Sequence, residues 1–570
     1  MSDIPTPPAP PPAPLPDNAA PSPENPASAA APQPAARAPF DPARPLGPLA
    51  LSLSGGGYRA AAFHLGTLRL LERVGLLPSV VGLSTVSGGT ICGMAWVVSM
   101  IDGKTFAEFD DAFSGYLLGN NVIGEALVGL RAERAGGEWA SLIRAAADVY
   151  DRPDFLRGRH LGEVLAAPGL PLEEVIFNTT EFHTGLDFRF RRSANPKSII
   201  GNWNFRVPPA VAQHVRLADV VAASSCFPGG FEPIVFPQQF RWPDAYPLQA
   251  AVDDLGADFR GGLPLMDGGV YDNQGVESLE YAFDKRPDTT FVISDVSARN
   301  TSMYDVPPDP GRRGFLTLRG VGWLALLLAL LALASAGVLL WKGVEAARAG
   351  DWRWDDYLLY LVPGLLAAGV GIGLWWARRR LAEANRLVTG IVDTDVWPSL
   401  EKLTVPEAVQ MVTLRVTSLL SLTSSVFMAR IRRLVFNRVW EDPRYADRRI
   451  ANLIYAMARD EPELFGKHPW LRPSPALVAL AQTAERMGTT LWFNEPAEFT
   501  TVRDAGERTI CFVLLRHIVR DRPGEYEAEG RPLHAIYQRL RREWDAFNTA
   551  APAPAPKAAA GPPKASIWGT

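Results

Sequence analysis

The sequence predicts an α/β protein with a mostly parallel sheet covered by helices, into which a two-helix membrane hairpin is inserted. Two observations lead to this prediction. Over residues 48–300, short apolar runs alternate with segments of helical periodicity, and two long uncharged runs follow them. Alternation of this kind is typical of parallel sheets, in which active residues gather at the carboxyl ends of the strands.

The elements are predicted from their apolar spacing and their end signals. The strands are short apolar runs, whereas the helices have apolar residues at three- and four-residue spacing. The first helix ends at Gly75, and glycine is the usual residue at a helix C-terminal cap. The predicted strands cover residues 49–54, 79–86, 173–181, 187–192 and 290–298, and the predicted helices cover 58–75 and 88–101.

Both ends of the chain are rich in proline and alanine. Residues 1–47 and 549–570 have too few apolar side chains to offset chain entropy by burial, so both are expected to be disordered. The first residues show no basic region followed by an apolar run, and no secretory signal is therefore expected.

Composition and charge limit the class of protein. The net charge of −4 argues against nucleic-acid binding through bulk positive charge. Cys92, Cys226 and Cys511 are widely separated, which suits three buried thiols in a reducing compartment. The cysteine spacing is not that of a metal site and no EF-hand pattern is present, so we expect no metal and no cofactor.

Residues 320–341 and 357–377 form the predicted membrane hairpin. Each run is uncharged and about as long as the roughly 20 residues that a helix needs to cross a bilayer. Tryptophans near the ends of the runs match the aromatic belts of membrane proteins. The alternative is a pair of buried core helices, but core helices rarely run this long without a charge.

The charges that flank the hairpin predict its orientation. The connecting loop 342–356 has three basic and four acidic residues, whereas the outer flanks are rich in arginine: Arg312, Arg313, Arg319, Arg378, Arg379, Arg380 and Arg386. Positive flanks face the cytoplasm, so both termini and the soluble parts are expected there. We therefore predict a multi-pass protein of a bacterial inner membrane.

The first candidate site is the glycine turn Gly55–Gly57 in "LSLSGGGYRA". It lies between a predicted strand and a predicted helix, where backbone N–H groups favour negative charge. A phosphate group or the oxyanion of acyl transfer would both suit this position. A phosphate-binding P-loop is excluded because no Gly-Lys-Ser/Thr follows, and Ala60 breaks the dinucleotide-binding fingerprint.

The second candidate is Ser87 in "STVSGGT". A strand is predicted to end at Val86, and Gly88 and Gly89 then open an apolar helix. The segment is similar to a nucleophile elbow, in which a serine occupies a sharp strand-to-helix turn, although Thr85 stands at the first glycine position. The alternative is that Ser87 is a helix N-cap.

The third candidate is Asp267 in "LPLMDGGVYDN", which is followed by Gly268 and Gly269. Asp-Gly is most often a turn, and that remains the alternative. Asp267 also falls where a strand is predicted to end, so it could serve as the base that a serine nucleophile requires.

Together, these segments resemble the patatin-like phospholipase family, with similarity to its cytosolic phospholipase A2 branch. The glycine turn, the serine elbow and the Asp-Gly-Gly motif occur in the family's order. Two intervening segments, "FNTTEFHTG" and "ADVVAASSCFPGGFEPI", resemble family segments as well. The resemblance covers about residues 48–300.

The resemblance implies a patatin-like three-layer sandwich and a Ser–Asp dyad. Ser87 would attack the acyl carbonyl and Asp267 would take its proton directly, while His64 would be packed or face the surface. The backbone amides of Gly56 and Gly57, with or without that of Gly55, would bind the oxyanion. Arg59 would steady the loop or meet a lipid phosphate, and its alternative is a surface salt bridge.

Three positions depart from the family pattern. Ser54 stands where many members carry aspartate, Ala60 replaces a glycine, and Thr85 replaces the first elbow glycine. These forms resemble variants within the family, so activity is still expected. They leave the geometry of the elbow open.

The predicted organisation is a catalytic domain over 48–310, the hairpin over 320–377, and a helical C-terminal part over 381–548 that packs on the catalytic domain. Within that part, residues 408–440 have helical spacing and carry basic residues that either pack against the domain or meet anionic lipid headgroups: Arg430, Arg432, Arg433 and Arg438. The expected function is hydrolysis of membrane phospholipids or other acyl lipids through an acyl-enzyme. The alternatives are a membrane-anchored non-catalytic scaffold and a lipid acyltransferase.

Overall fold

The structure is a computed structural model, and it describes residues 44–135, 141–299, 316–350, 354–389 and 402–549. The two predicted disordered tails lie almost entirely outside the described residues. The same is true of most of the chain between the last predicted strand and the hairpin.

In the part of the chain that the structure describes, ten strands form one mixed sheet. The order along it is β10-β9-β1-β2-β3-β4-β5-β6, β8 pairs with β3, and β7 pairs with β8. The five strands from β10 to β3 are parallel. The strands are β1 (Leu49–Leu53), β2 (Val80–Val86), β3 (Glu174–Glu181), β4 (Leu186–Ser193), β5 (Ile200–Gly201), β6 (Arg206–Val207), β7 (Ile234–Phe236), β8 (Leu263–Asp267), β9 (Thr290–Asp295) and β10 (Arg449–Leu453).

The helices connect these strands and continue beyond them. All seven predicted strands and helices are present, and the last predicted strand ends at Asp295 rather than at residue 298. The helices are α1 (Gly57–Arg73), α2 (Gly88–Ile101), α3 (Phe106–Gly119), α4 (Val122–Ala135), α5 (Leu142–Tyr150), α6 (Leu161–Ala166), α7 (Pro209–Ala212), α8 (Leu217–Ser224), α9 (Leu248–Leu255), α10 (Gly269–Asp272), α11 (Val276–Phe283), α12 (Leu318–Ala349), α13 (Trp354–Thr389), α14 (Val405–Ser421), α15 (Met428–Glu441), α16 (Pro462–Lys467), α17 (Pro475–Arg486), α18 (Pro496–Asp521) and α19 (Pro532–Thr549).

Buried side chains lie on both faces of the sheet, which explains why its central strands are almost continuously apolar. Successive residues of β1 and β9 pack into two separate cores. Leu51 and Val292 belong to the larger core, whereas Ala50 and Ile293 belong to a smaller one under α11 and α15. Helices therefore cover both faces of the sheet, and the predicted α/β fold with a mostly parallel sheet is confirmed.

The part of the chain after the hairpin completes the sheet. β10 pairs with β9 in parallel register, so an edge strand comes from a segment that the sequence analysis described only by its helices. The strand was overlooked because it is five residues long and lies among helical segments. Helix α18 packs closely on α1, because Gly506 lies directly against the Phe63 carbonyl group.

α12 and α13 form the predicted hairpin. They pack against each other, and among the described residues these two helices are long and apolar enough to cross a membrane. Most of their apolar side chains are exposed, so the alternative of two core helices is wrong. An antiparallel bridge between Thr317 and Thr404 joins the two chain segments that enter and leave the hairpin region.

A long helix follows the hairpin, and we call residues 405–441 the post-hairpin helix. It consists of α14, a π-helical segment at Leu422–Phe427, and α15. Between Ala408 and Ala429 its single charged residue is Arg415. Many of its apolar side chains are exposed, including Val416, Leu419 and Phe427.

Candidate active site

Two strands bring Ser87 and Asp267 together by pairing with the same edge of β3. β2 runs parallel to β3 and ends with Val86 opposite Asn178. β8 runs antiparallel to β3 and ends with Asp267 opposite Thr179. Because Asn178 and Thr179 are neighbours, the carboxyl ends of β2 and β8 meet. The two predicted site residues therefore lie side by side, although 180 positions separate them in the chain.

Ser87 occupies a strained turn between β2 and α2. Its φ of 51° and ψ of −119° are rare for a residue other than glycine. Ser87 occupies the N-cap position of α2, but its side chain makes no capping hydrogen bond to the helix. Its hydroxyl instead lies close enough to the Asp267 carboxylate to lower the pKa of that group. The Ser87 N–H donates to Ser224 Oγ at 3.0 Å, which supports the turn.

Asp267 is buried at the end of β8. One carboxylate oxygen accepts a hydrogen bond from the Gly269 N–H at 2.7 Å. Burial raises the pKa of Asp267 to about 6, and the hydrogen bonds from Gly269 and Ser87 offset only part of that effect. At neutral pH the carboxyl group is therefore mostly ionised. Its pKa is also close enough to neutral pH for it to act as a general base.

His64 takes no part in this pair. Its Nε2 lies 3.0 Å from the Ser54 carbonyl oxygen and its Nδ1 lies 3.0 Å from Ser294 Oγ. Burial lowers its pKa to about 4, although the Ser54 carbonyl and Asp295 act in the opposite direction. His64 is thus a neutral core residue, which settles the choice between a packed and a surface position.

The glycine turn faces the dyad, and its amides differ in their partners. The Gly55 N–H donates to the Asn273 carbonyl oxygen at 2.9 Å, and the Tyr58 N–H donates to that of Thr490 at 2.8 Å. The Gly56 and Gly57 amides have no hydrogen-bond partner in the part of the chain that the structure describes. The suggestion that Gly55 belongs to the oxyanion hole is therefore corrected, because its N–H is already engaged.

Positive backbone angles and close neighbours explain why glycine is needed at the turn. Gly56 has a φ of 141° and Gly57 a φ of 57°. A Cβ on Gly56 would lie 2.6 Å from Val296 Cγ2, and one on Gly57 would lie 2.8 Å from the Thr489 carbonyl oxygen. The turn is thus enclosed by chain segments on both sides.

The glycines of the elbow are needed because α2 starts against the glycine turn. A Cβ on Gly88 would lie 2.8 Å from the Gly57 nitrogen, and one on Gly89 would lie 2.8 Å from the Ser54 carbonyl oxygen. Thr85 is accommodated by Gly93, whose added Cβ would lie 2.6 Å from Thr85 Cγ2. The departure at Thr85 therefore leaves the elbow intact.

The glycines beside Asp267 are needed for the same reason, since neighbouring atoms leave no room for a side chain. A Cβ on Gly268 would lie 2.5 Å from the Asn178 carbonyl oxygen, and one on Gly269 would lie 2.9 Å from Asp267 Oδ1. Gly269 also donates its N–H to Asp267, so Asp-Gly-Gly is more than a simple turn.

The Arg59 guanidinium is engaged by backbone carbonyl groups, although the residue lines the cavity. It is buried and donates to the carbonyl oxygens of Glu485 at 3.0 Å and Met487 at 2.5 Å. Burial, together with the nearby charge of Arg432, lowers its pKa to about 10, although Asp295 and Glu485 act in the opposite direction. Among the described residues Arg59 has no carboxylate within ion-pair distance, so the surface salt bridge is also wrong. Arg59 holds the C-terminal segment over the glycine turn.

A cavity of about 1410 Å³ opens above these groups. It is lined by the glycine turn, Ser87 and Asp267, by the end of β9, by α15, and by residues 482–491. No group of three or more histidine, cysteine or acidic side chains that could hold a metal occurs in the described ranges.

Sequence analysis missed several residues of this cavity, among them Asn273 and Asp295. Asn273 is buried, and its side-chain Nδ2 has no partner within the described chain. Asp295 ends β9 and accepts hydrogen bonds from Gln274 at 2.7 Å and from the Ser297 N–H at 3.0 Å. The position of Asp295 at a strand end was a usable signal, whereas nothing in the sequence distinguished Asn273 within its turn.

A serine on a strained strand-to-helix turn, beside a buried carboxylate and close to unpaired amides, is typical of serine hydrolases. The comparison with protein families specifies the class further. Residues 51–279 match the family model for patatin-like phospholipase, so this domain of the chain belongs to the patatin-like phospholipase family. No curated protein matches the chain. The family supports a lipid acyl hydrolase activity in general terms.

Proposed function

We propose that the protein is a membrane-anchored lipid acyl hydrolase with Ser87 as nucleophile and Asp267 as base. The observation that carries this proposal is the position of Ser87, on a strained turn after β2, beside the buried carboxylate of Asp267 at the end of β8. Intact geometry of this kind argues against the non-catalytic scaffold, because a scaffold has no need of a strained serine.

The reaction follows from the positions of these groups. Ser87 Oγ attacks the acyl carbonyl carbon while its proton passes to Asp267. The negative charge on the carbonyl oxygen is stabilised by the Gly56 and Gly57 amides, and loss of one such donor costs about 3–4 kcal/mol. The intermediate then expels the alcohol, which takes the proton from Asp267. Water, deprotonated by Asp267, releases the fatty acid from Ser87 by the same steps.

The sheet supports the membrane topology that was predicted from charge. β9 precedes the hairpin and β10 follows it, yet the two strands pair in one sheet. The chain between them must therefore cross a membrane an even number of times. α12 and α13 supply two crossings, which leaves the post-hairpin helix on the side of the catalytic domain. The arginine-rich flanks favour the cytoplasm for that side.

The test compares the purified wild type with Ser87→Ala and Ser225→Ala on lipid vesicles and on a short-chain ester. Ser225 lines the same cavity but donates to the Val221 carbonyl oxygen at 2.7 Å, so it is a matched control. We expect Ser87→Ala to lose at least about a thousandfold in kcat/KM, and Ser225→Ala to retain most of its activity.

Labelling with a fluorophosphonate separates the proposal from the scaffold alternative. The wild type should be labelled at Ser87 and Ser87→Ala should not. Folded wild-type protein that never labels would favour the scaffold, and equal activity in wild type and Ser87→Ala would refute the serine assignment. Comparing release of fatty acid to water with its transfer to an added alcohol distinguishes the hydrolase from the acyltransferase.

A further inference from the structure

The post-hairpin helix contributes a wall of the candidate active site although it lies outside the part of the chain that matches the family. Met428 and Ala429 line the cavity with Ser87 and Asp267. A Cβ on Gly269 would lie 3.1 Å from Met428 Cε, so this helix passes directly beside the aspartate's loop. The next turn of the helix carries Arg432 and Arg433, which line the same cavity.

Arg432 is a cation without a dedicated partner. Its Nε is buried and has no hydrogen bond, and no carboxylate of a described residue lies within ion-pair distance of it. The charge of Arg432 acts on Asp295, which lines the same cavity. Burial raises the pKa of Asp295, but the charge of Arg432 and hydrogen bonds from Ser297 and Gln274 outweigh that effect and lower it. Among the described residues, the hydrogen bonds to Asp295 come from Ser297 and Gln274, whereas Arg432 acts on it through charge and lines the cavity.

Other arginines of the region differ from Arg432. Arg438, two turns further along the helix, is paired with Glu277 and Glu280 on α11 and so fastens the helix to the domain. Arg59 is bound to backbone carbonyl groups. Arg430 is exposed and does not line the cavity.

The cavity as a whole favours an anion. Six arginines line it, against three carboxylates, and one of these carboxylates, Glu485, is paired with Arg299 at 3.2 Å. An unpaired, partly buried guanidinium binds phosphate well because its planar donors match two phosphate oxygens. Arg432 lies four residues beyond Met428, which corresponds to about 6 Å along the helix axis.

The order of side chains on the helix favours a lipid over free phosphate. Exposed apolar residues precede Met428, and the arginines follow it. The helix that carries this apolar stretch is capped by Thr404, which is bridged to Thr317 at the base of the hairpin. A lipid whose acyl chain is followed by an ester and then by a phosphate has its groups in the same order. Such a lipid would lie along the helix with its ester beside Ser87.

We propose that Arg432, assisted by Arg433, forms a phosphate subsite that selects lipid esters carrying a phosphate headgroup over neutral acylglycerols. This inference rests on the proposed function and assigns the headgroup contact to the post-hairpin helix instead of Arg59. In the same proposal, the exposed apolar side chains of α14 contact the acyl chains of that lipid.

The test measures kcat/KM on a phospholipid and on a diacylglycerol with the same acyl chains, presented in the same detergent micelles. Arg432→Ala should lower the ratio of the two values roughly tenfold or more, since a charge-assisted hydrogen bond is lost. Arg432→Lys should restore part of the ratio, and Arg430→Ala should leave it unchanged. An unchanged ratio in Arg432→Ala, or equal loss on both lipids, would overturn the subsite.

Two further measurements separate the possible causes of failure. Binding of an ether-linked phospholipid, which contains no ester, to Ser87→Ala protein reports the subsite without catalysis. Binding that depends on Arg432 supports the subsite even if no hydrolysis is found, and that result would fault only the proposed function. Inorganic phosphate that inhibits cleavage of a neutral ester through Arg432, without an effect of Arg432 on the lipid ratio, would identify a free-phosphate site and overturn the lipid assignment.

Discussion

Asp267 is the residue whose ionisation controls the proposed chemistry. Burial raises its pKa to about 6 from an ordinary value of 3.8. The base must be unprotonated to accept the serine proton, so kcat/KM should fall as the pH drops below about 6. The measurement is a pH profile on a short-chain ester, and the substitution Asp267→Asn should abolish activity at every pH. A profile that stays flat down to pH 4 would contradict the assignment of Asp267 as base.

The same shift predicts how stability depends on pH. The folded-state pKa lies above the unfolded value, so the folded chain binds more protons between about pH 4 and 6. The free energy of unfolding therefore falls as the pH rises through that window. Asp267→Asn keeps the shape without the charge and should gain about 1–3 kcal/mol at pH 8, with no gain at pH 4. Equal denaturation midpoints of the wild type and Asp267→Asn at pH 8 would contradict the presence of a buried charge on Asp267.

At the scale of elements, the contact between α2 and the glycine turn determines the position of the proposed oxyanion donors. Gly88→Ala would place a methyl group against the backbone of Gly57, which cannot yield without moving the proposed oxyanion donors. We expect a loss of about 1–3 kcal/mol in stability and a large fall in kcat. Gly115→Ala in α3 is the control, because a Cβ there meets open space.

Circular dichroism melting and short-ester kinetics measure both effects. Gly115→Ala should be neutral or slightly stabilising, since alanine favours helix over glycine. If Gly88→Ala keeps full activity, the glycine turn does not hold the oxyanion in the way we propose.

The strand ends could be predicted from the sequence, but the pairing of the strands could not. The strand ends at Val86 and Asp267 were readable from local apolar patterns. Their meeting depends on a register in which Asn178 and Thr179 of β3 receive two strands of opposite direction. No local pattern encodes that pairing, and in the sequence analysis the roles of Ser87 and Asp267 came from the family resemblance. The partners of Gly55 and Arg59 were equally hidden, because Asn273 and Met487 are distant in the chain.

At the scale of the whole molecule, the fold class and the hairpin were predictable, because long apolar runs and strand–helix alternation are strong local signals. The contribution of the C-terminal part was underestimated. A five-residue strand gives little periodic signal, and the closeness of α18 to α1 depends on small residues such as Gly506. The matched family range ends at residue 279, yet the cavity and the sheet both use residues beyond 400.

This arrangement predicts that the hairpin can be removed but the C-terminal part cannot. The Leu318 N–H donates to the Leu403 carbonyl oxygen, and the Val405 N–H donates to that of Leu316, so the two chain segments already lie side by side. Replacing residues 320–401 by a short Gly-Ser turn should preserve the sheet and the dyad. A chain ending at residue 310 would instead lack β10 and leave α1 uncovered, and it should not fold.

Three measurements check this prediction in mild detergent. The hairpin-deleted protein should keep fluorophosphonate labelling at Ser87 and activity on a short-chain ester within about threefold of wild type, whereas the chain ending at residue 310 should aggregate. Alkaline carbonate should extract the deleted protein from membranes and leave the wild type behind, because a protein inserted through transmembrane helices resists extraction whereas a surface-bound protein does not. If the deletion abolished labelling, the hairpin would be part of the catalytic fold. A soluble and active 1–310 fragment would show that β10 and α18 are dispensable.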